Sequence, residues 1–246
     1  MAAIISDRPG AGSDGGAPRT VLCLHGFRTN AHVLRLQTQD MFNHCSGIVP
    51  VYVDAPHAAR GPAYPAVEMA FPSAKQRGGW REWYNYMPRE DGSGGRDCYE
   101  GMAESVAFVE AEVARLRPFA ICGFSQGAVI AAIVAKNAEA NTEKNICGNS
   151  DADVASGLTH LLMLCAVPPR QFYANFPEFH AVPMAAYKTL HCIGSRDPMK
   201  ASSEQFAAKA FDEASSEVLV HSGNHKPPSV FERAETFDRV RDFLNQ

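Results

Sequence analysis

The stretch Ala120-Ile121-Cys122-Gly123-Phe124-Ser125-Gln126-Gly127-Ala128 restricts this chain more than any other. A short apolar run ends in Gly-x-Ser-x-Gly, and an alanine-rich apolar segment follows at once. The spacing reads as strand, sharp turn, helix, with Ser125 at the tip of the turn and its hydroxyl exposed above a sheet. Gly123 and Gly127 leave room where strand and helix backbones nearly touch. The N–H of Gln126, at a helix N-terminus, then faces the space where a tetrahedral oxyanion would form. By chance the pattern occurs in roughly one chain in ten of this length, so the surrounding elements must carry the argument.

Those elements alternate. Strands are expected at Arg19–Leu24, Ile48–Val53, the apolar run from Ala120 into the Gly-x-Ser-x-Gly turn, His160–Cys165, Lys188–Gly194 and Glu217–His221. Between them, Asn30 caps a helix reaching to about Cys45, and Tyr99–Arg117 carries an apolar stripe at helical spacing. Another helix runs from Gln126 to about Glu139. Ser202 with Gln205, and Ser229 with Glu232, read as capping boxes for the last two helices. The expectation is an α/β fold, a doubly wound and mostly parallel sheet covered on both faces. One domain spans residues 19–246, after a disordered, Gly- and Ala-rich tail at 1–18. Residues 140–157 read as a polar surface insertion, and 54–98 as a long irregular loop with a mobile tip at Asp91–Gly95.

The formal net charge of −4 gives no reason to expect nucleic-acid binding. No apolar run approaches the ~18 residues that span a membrane, and no signal peptide is evident. Seven cysteines, an odd number, with Cys23, Cys122, Cys165 and Cys192 inside apolar runs, read as buried thiols in a reducing, cytoplasmic setting. The nine histidines show no metal-ligand spacing, so no metal is expected.

A serine hydroxyl needs an adjacent base to act as a nucleophile, and the base needs a carboxylate behind it. In parallel α/β sheets the site lies beyond the carboxyl ends of the strands. The segments holding His25, Ser125, Asp197 and His225 each follow a strand directly, so they gather at one edge. Ser125, Asp197 and His225 stand in the chain order that this chemistry uses. Asp151, Asp153 and Asp212 compete with Asp197, and a turn aspartate bonding its own loop is the bland alternative. His221 competes with His225, but it ends a strand. Phe27 follows the first strand, and its N–H is the expected second oxyanion donor beside that of Gln126. Arg28 reads either as a substrate contact or as a solvated arginine. Trp80, Trp83 and Phe172 either line an acyl pocket or pack their loops.

Together these segments resemble the FSH family of serine hydrolases, small α/β-hydrolases. The resemblance rests on Leu24-His25-Gly26-Phe27-Arg28-Thr29-Asn30, Asp54-Ala55-Pro56-His57, Gly123–Ala128, Leu190–Gly194 leading to Asp197, and His221–His225. It implies a sheet without a large lid domain, no cofactor, and ester or thioester hydrolysis through an acyl-enzyme on Ser125 with Asp197 and His225. The expected partner is a small-molecule ester of an apolar acyl group, with oligomeric state open. The same triad suits an acyl thioesterase, and a low-turnover ligand-binding protein is the rival outside enzymes. Two departures stand out. The family commonly has Gly-Gly-His where this chain has Gly223-Asn224-His225, and the 140–157 insertion is long.

Overall fold

The computed structural model describes residues 4–6, 17–87, 98–146, 157–229 and 234–246. In chain order, β1 is Ile4–Ser6, β2 Arg19–Leu24, α1 Ala31–Asn43 and β3 Ile48–Val53. The long connection holds β4 (His57–Ala58), α2 (Pro65–Ala70), a single 3₁₀ turn, β5 (Arg81–Glu82), β6 (Asn85–Met87) and β7 (Cys98–Glu100). Then come α3 (Met102–Leu116), β8 (Ala120–Phe124), α4 (Gln126–Ile146) and β9 (His160–Leu164). The chain continues through α5 (Phe172–Asn175), α6 (Glu178–Ala181), β10 (Lys188–Gly194), α7 (Lys200–Ala210), β11 (Ser216–His221) and α8 (Ala234–Leu244).

Seven strands form one sheet in the order β1-β3-β2-β8-β9-β10-β11. All neighbours pair in parallel except β1, which pairs antiparallel with β3. Parallel strands buried on both faces read as continuous apolar runs rather than alternating ones. Here β8 and β9 are buried at every position. One face of the sheet packs on α3, α4 and α7, around Val109, Val129, Ile133, Phe172 and Phe206. The other packs on α1 and α8, around Leu34, Met41, Phe237 and Val240. That is the doubly wound arrangement, and it leaves the carboxyl ends of the strands free to carry side chains.

Several boundaries differ from expectation. Ile4–Ser6 is a strand within the segment read as a disordered tail. The helix expected from Tyr99 starts at Met102, because Cys98–Glu100 pairs with Asn85–Met87 and Gly101 turns with φ 84°. Helix α4 runs on to Ile146, into the segment read as an insertion. Ser202 caps nothing, since α7 begins at Lys200 behind Met199. Glu232, residues 91–95 and residues 147–156 lie outside the described residues.

Candidate active site

Ser125 follows β8 and precedes α4 with φ 52°, in the left-handed region that side chains rarely adopt. Strain of this kind persists only when the surroundings over-determine it. They do so here. The Ser125 N–H donates to the Leu164 carbonyl at 2.9 Å. A Cβ on Gly123 would lie 2.6 Å from the Ala128 nitrogen, and one on Gly127 would meet the carbonyl oxygens of Leu24 and His25. Any side chain at either position would push α4 off the sheet.

Asp197 lies in the turn between β10 and α7. Its two carboxylate oxygens do different work. Oδ1 accepts the Met199 N–H at 2.7 Å, and Oδ2 lies 2.7 Å from His225 Nδ1. The bland reading of a turn aspartate is therefore true of one oxygen only. His225 Nε2 lies 3.0 Å from Ser125 Oγ. With Nδ1 protonated and facing Asp197, Nε2 is the acceptor for the Ser125 hydroxyl. The Asp197 side chain is fully buried, while that of His225 is 30% exposed, open to an incoming molecule.

The rival residues fall elsewhere. His221 is buried at the end of β11 and accepts the Gly223 N–H at 3.2 Å. Asp212 accepts the Ala214 N–H in its own turn. Asp151 and Asp153 lie outside the described residues. Asn224 needs no left-handed backbone, for it is not among the described residues with positive φ. Space decides this loop instead. A Cβ on Gly194 would meet the Gly223 oxygen at 2.7 Å, and one on Gly223 would strike the His221 ring at 2.8 Å.

On the other side of Ser125, the β2–α1 loop carries Phe27. Neither its N–H nor that of Gln126 has an acceptor among the described residues. Both are therefore available to an oxyanion. His25 braces this loop. It lies 2.7 Å from the Gly26 carbonyl through Nδ1 and accepts the Ala55 N–H at 3.0 Å through Nε2. Burial pushes its pKa down to about 4, so it stays neutral. Asn30 caps α1 by accepting the Val33 N–H at 2.9 Å, and the buried Asp54 accepts the Ala31 N–H. Gly26 admits the Phe124 ring, which lies 5.4 Å from the His225 ring.

The aromatic candidates settle into packing. Trp83 is fully buried and donates its indole N–H to the His25 carbonyl at 2.7 Å. Trp80 packs in a small cluster with Val33, Ala63 and Ala74, and Phe172 packs against Phe176, Phe179 and Phe206. Each ring is enclosed by its neighbours, so an acyl-lining role finds no support in these contacts. Arg28 stacks on the Phe27 ring at 4.7 Å and faces the buried Glu82 carboxylate at 3.5 Å. Its side chain is part-exposed beside the β2–α1 loop.

Two side-chain roles escaped the sequence reading. The Gln126 amide accepts the Trp83 N–H at 2.9 Å and donates to the Tyr84 carbonyl at 2.7 Å, clamping the long connection to the serine turn. Nothing in the local sequence marks that pairing, because its partners lie more than forty positions away. Cys165, read as one buried thiol among several, turns just past β9 with φ 46°. Its Sγ contacts the Lys226 carbonyl at 3.5 Å and lies beside Asp197. Burial, with the neighbouring Asp197 carboxylate, pushes the thiol up to about 12.

The chain is similar to known hydrolases in sequence and in fold. The model of the family described as serine hydrolase (FSH1) matches residues 16–236. Esterase OVCA2 of Danio rerio is 25% identical and covers 93% of this chain and 97% of its own length. An esterase of Drosophila melanogaster is 29% identical, covering 91% of this chain and 75% of its own. Among solved structures, acyl-protein thioesterase 2 of Zea mays superposes with a TM-score of 0.57 over 99% of this chain and 97% of its own, at 17% identity, a likeness of fold. No helix among the described residues is long and apolar enough to cross a membrane. The chain belongs to the FSH1 serine hydrolase family, with the α/β-hydrolase fold and the character of an esterase-type enzyme.

Proposed function

We propose that the protein hydrolyses carboxylic esters of apolar acyl groups through an acyl-enzyme on Ser125. The observation that carries this reading is the unbroken chain of contacts from Ser125 Oγ through His225 to Asp197 Oδ2, at 3.0 and 2.7 Å. Both distances are within hydrogen-bond reach for a nucleophile, its base and the group behind it.

The reaction runs as follows. His225 Nε2 takes the Ser125 proton as Oγ attacks the substrate carbonyl. The imidazolium so formed keeps its Nδ1–H on Asp197, whose carboxylate stabilises the charge. The N–H groups of Phe27 and Gln126 hold the developing oxyanion, and the N-terminus of the 21-residue α4 adds its positive end. The carbon–oxygen bond to the leaving group breaks, and that oxygen takes the proton from Nε2. Water then attacks the acyl-Ser125 carbonyl. It gives its proton to His225, the acid departs, and Ser125 recovers its hydroxyl. A thioester would follow the same steps with sulfur leaving.

The test is Ser125→Ala. Turnover on a short-chain aryl ester falls by about 10⁴-fold or more, with the melting temperature little changed. A fluorophosphonate probe, which reacts with activated serines, labels the peptide carrying Ser125 in the unmodified protein. Near-normal turnover by folded Ser125→Ala would overturn the assignment. Matched oxygen esters and thioesters then rank the two leaving groups.

A further inference from the structure

The loop ends that support the Ser125 base also bring together a second set of groups. Cys165 leaves β9, Asp197 follows β10, and His225 follows β11. One ligand atom from each lies within 4.8 Å of the others. Thiolate, carboxylate and imidazole are the donors of mixed zinc sites, and three protein ligands with one open position is an ordinary zinc arrangement. The set is invisible to spacing rules, because its members lie 32 and 28 positions apart, each just past a different strand.

We infer that Cys165, Asp197 and His225 form an inhibitory site for a thiophilic divalent cation such as Zn²⁺, and that the bound ion switches the serine machinery off. The chemistry explains why inhibition follows from binding. The His225 nitrogen facing Asp197 is Nδ1, at 2.7 Å. A metal there must replace the Nδ1 proton, which leaves the imidazole protonated at Nε2. Nε2 is the atom 3.0 Å from Ser125 Oγ. It then presents an N–H where the hydroxyl needs an acceptor, so no base remains. The thiol loses its proton to solvent as the Zn–S bond forms. The Nδ1 proton leaves while Nε2 gains one, so a single proton is released overall. The His225 side chain is part-exposed, the side from which an ion would arrive. Asp197 and Cys165 are buried beneath it.

Loss of activity rests on the reading of His225 as the base, whereas metal binding does not, and the experiment separates the two. Ester turnover is measured in buffered free Zn²⁺ against a chelated reference, each protein normalised to its own chelated rate. The unmodified protein loses most of its turnover and recovers it on adding EDTA. In Cys165→Ala the inhibitory concentration rises by about 100-fold or more. Cys165→Ser behaves in the same way and serves if the alanine variant folds poorly. Cys98→Ser, which removes an exposed thiol, keeps the inhibition. In parallel, Co²⁺ is titrated into Ser125→Ala protein, which reads binding without turnover. A thiolate-to-cobalt charge-transfer band appears, and it vanishes when Cys165→Ala is added. Equal zinc sensitivity with and without Cys165, or no thiolate–cobalt band in Cys165-containing protein, would overturn the inference.

Discussion

Phe27, Ser125 and Gln126 lie just beyond β2 and β8 in the middle of the sheet, whereas Asp197 and His225 lie beyond β10 and β11, toward its edge. The middle is held by backbone. Ser125 is locked at positive φ, the adjacent glycines touch neighbouring main chain, and His25 and Asn30 bond almost wholly to peptide groups. The edge has backbone ties too, Ser195 N–H to the His221 carbonyl and Arg196 N–H to the Gly223 carbonyl, but its reactive groups are aimed by side-chain bonds. His225 is set by its bond to Asp197, which is itself set by one bond to the Met199 N–H. A nucleophile and an oxyanion pocket tolerate little displacement. A base must exchange protons with solvent-borne groups and is better left part-exposed.

The contrast is broken most severely at Gly127. An alanine there meets the Leu24 and His25 carbonyls, and overpacking against backbone costs upwards of about 3 kcal/mol. Gly127→Ala is therefore expected to be insoluble or unfolded by circular dichroism. At the edge, Asn224→Gly keeps the fold and ester turnover, since Asn224 adopts no left-handed backbone. A folded, active Gly127→Ala would erase the distinction.

Asp197→Asn should cut turnover by about 10³- to 10⁴-fold while leaving the melting temperature within a few degrees. The amide still accepts from Met199 but no longer stabilises a charged imidazolium. Steady-state kinetics beside a thermal melt reads both. A large loss of stability with intact turnover would mean that Asp197 belongs to the turn alone.

Gln126→Ala sharpens the account of the middle. It keeps the backbone donor but strips the partners of the Trp83 N–H and the Tyr84 carbonyl. Leaving buried groups unpaired costs about 1–3 kcal/mol each. Chemical denaturation should show that loss, with turnover reduced far less than in Asp197→Asn.

A pH slope is shared by both regions. Burial holds His25 down at about 4, with Arg81 adding repulsion, and holds His191 on β10 down at about 3, both from an ordinary 6.5. Folded-state values below the unfolded one mean that the unfolded chain binds more protons between about pH 4 and 6.5. Stability from these two groups is complete above 6.5 and falls as pH drops, by at most about 2.7 kcal/mol per pH unit. Urea melts across that range measure the slope. If the sheet unfolds as one unit, turnover and circular dichroism are lost together.

Much of this was legible in the chain. β2, β3 and β10 were bounded to the residue because each is a continuous apolar or β-branched run closed by turn residues. Asn30 capped its helix as its position before a helical pattern suggested. The order of Ser125, Asp197 and His225, each just past a strand, was enough to nominate them, because a parallel sheet delivers every strand end to one edge. The start of α3 was not legible, since a strand pairing across the long connection displaced it. Nor was the capping role assigned to Ser202, where the turn through Asp197 sets the helix start.

Sequence by itself determined which residues carry reactive groups and at which strand ends they emerge, because local periodicity and turn chemistry act over a few positions. Tertiary structure alone decided which groups touch. It enclosed Trp80, Trp83 and Phe172 in packing, tied Gln126 to the long connection, and set Cys165 beside Asp197. Those outcomes depend on how segments about thirty or more positions apart are brought together, and no local pattern encodes that distance.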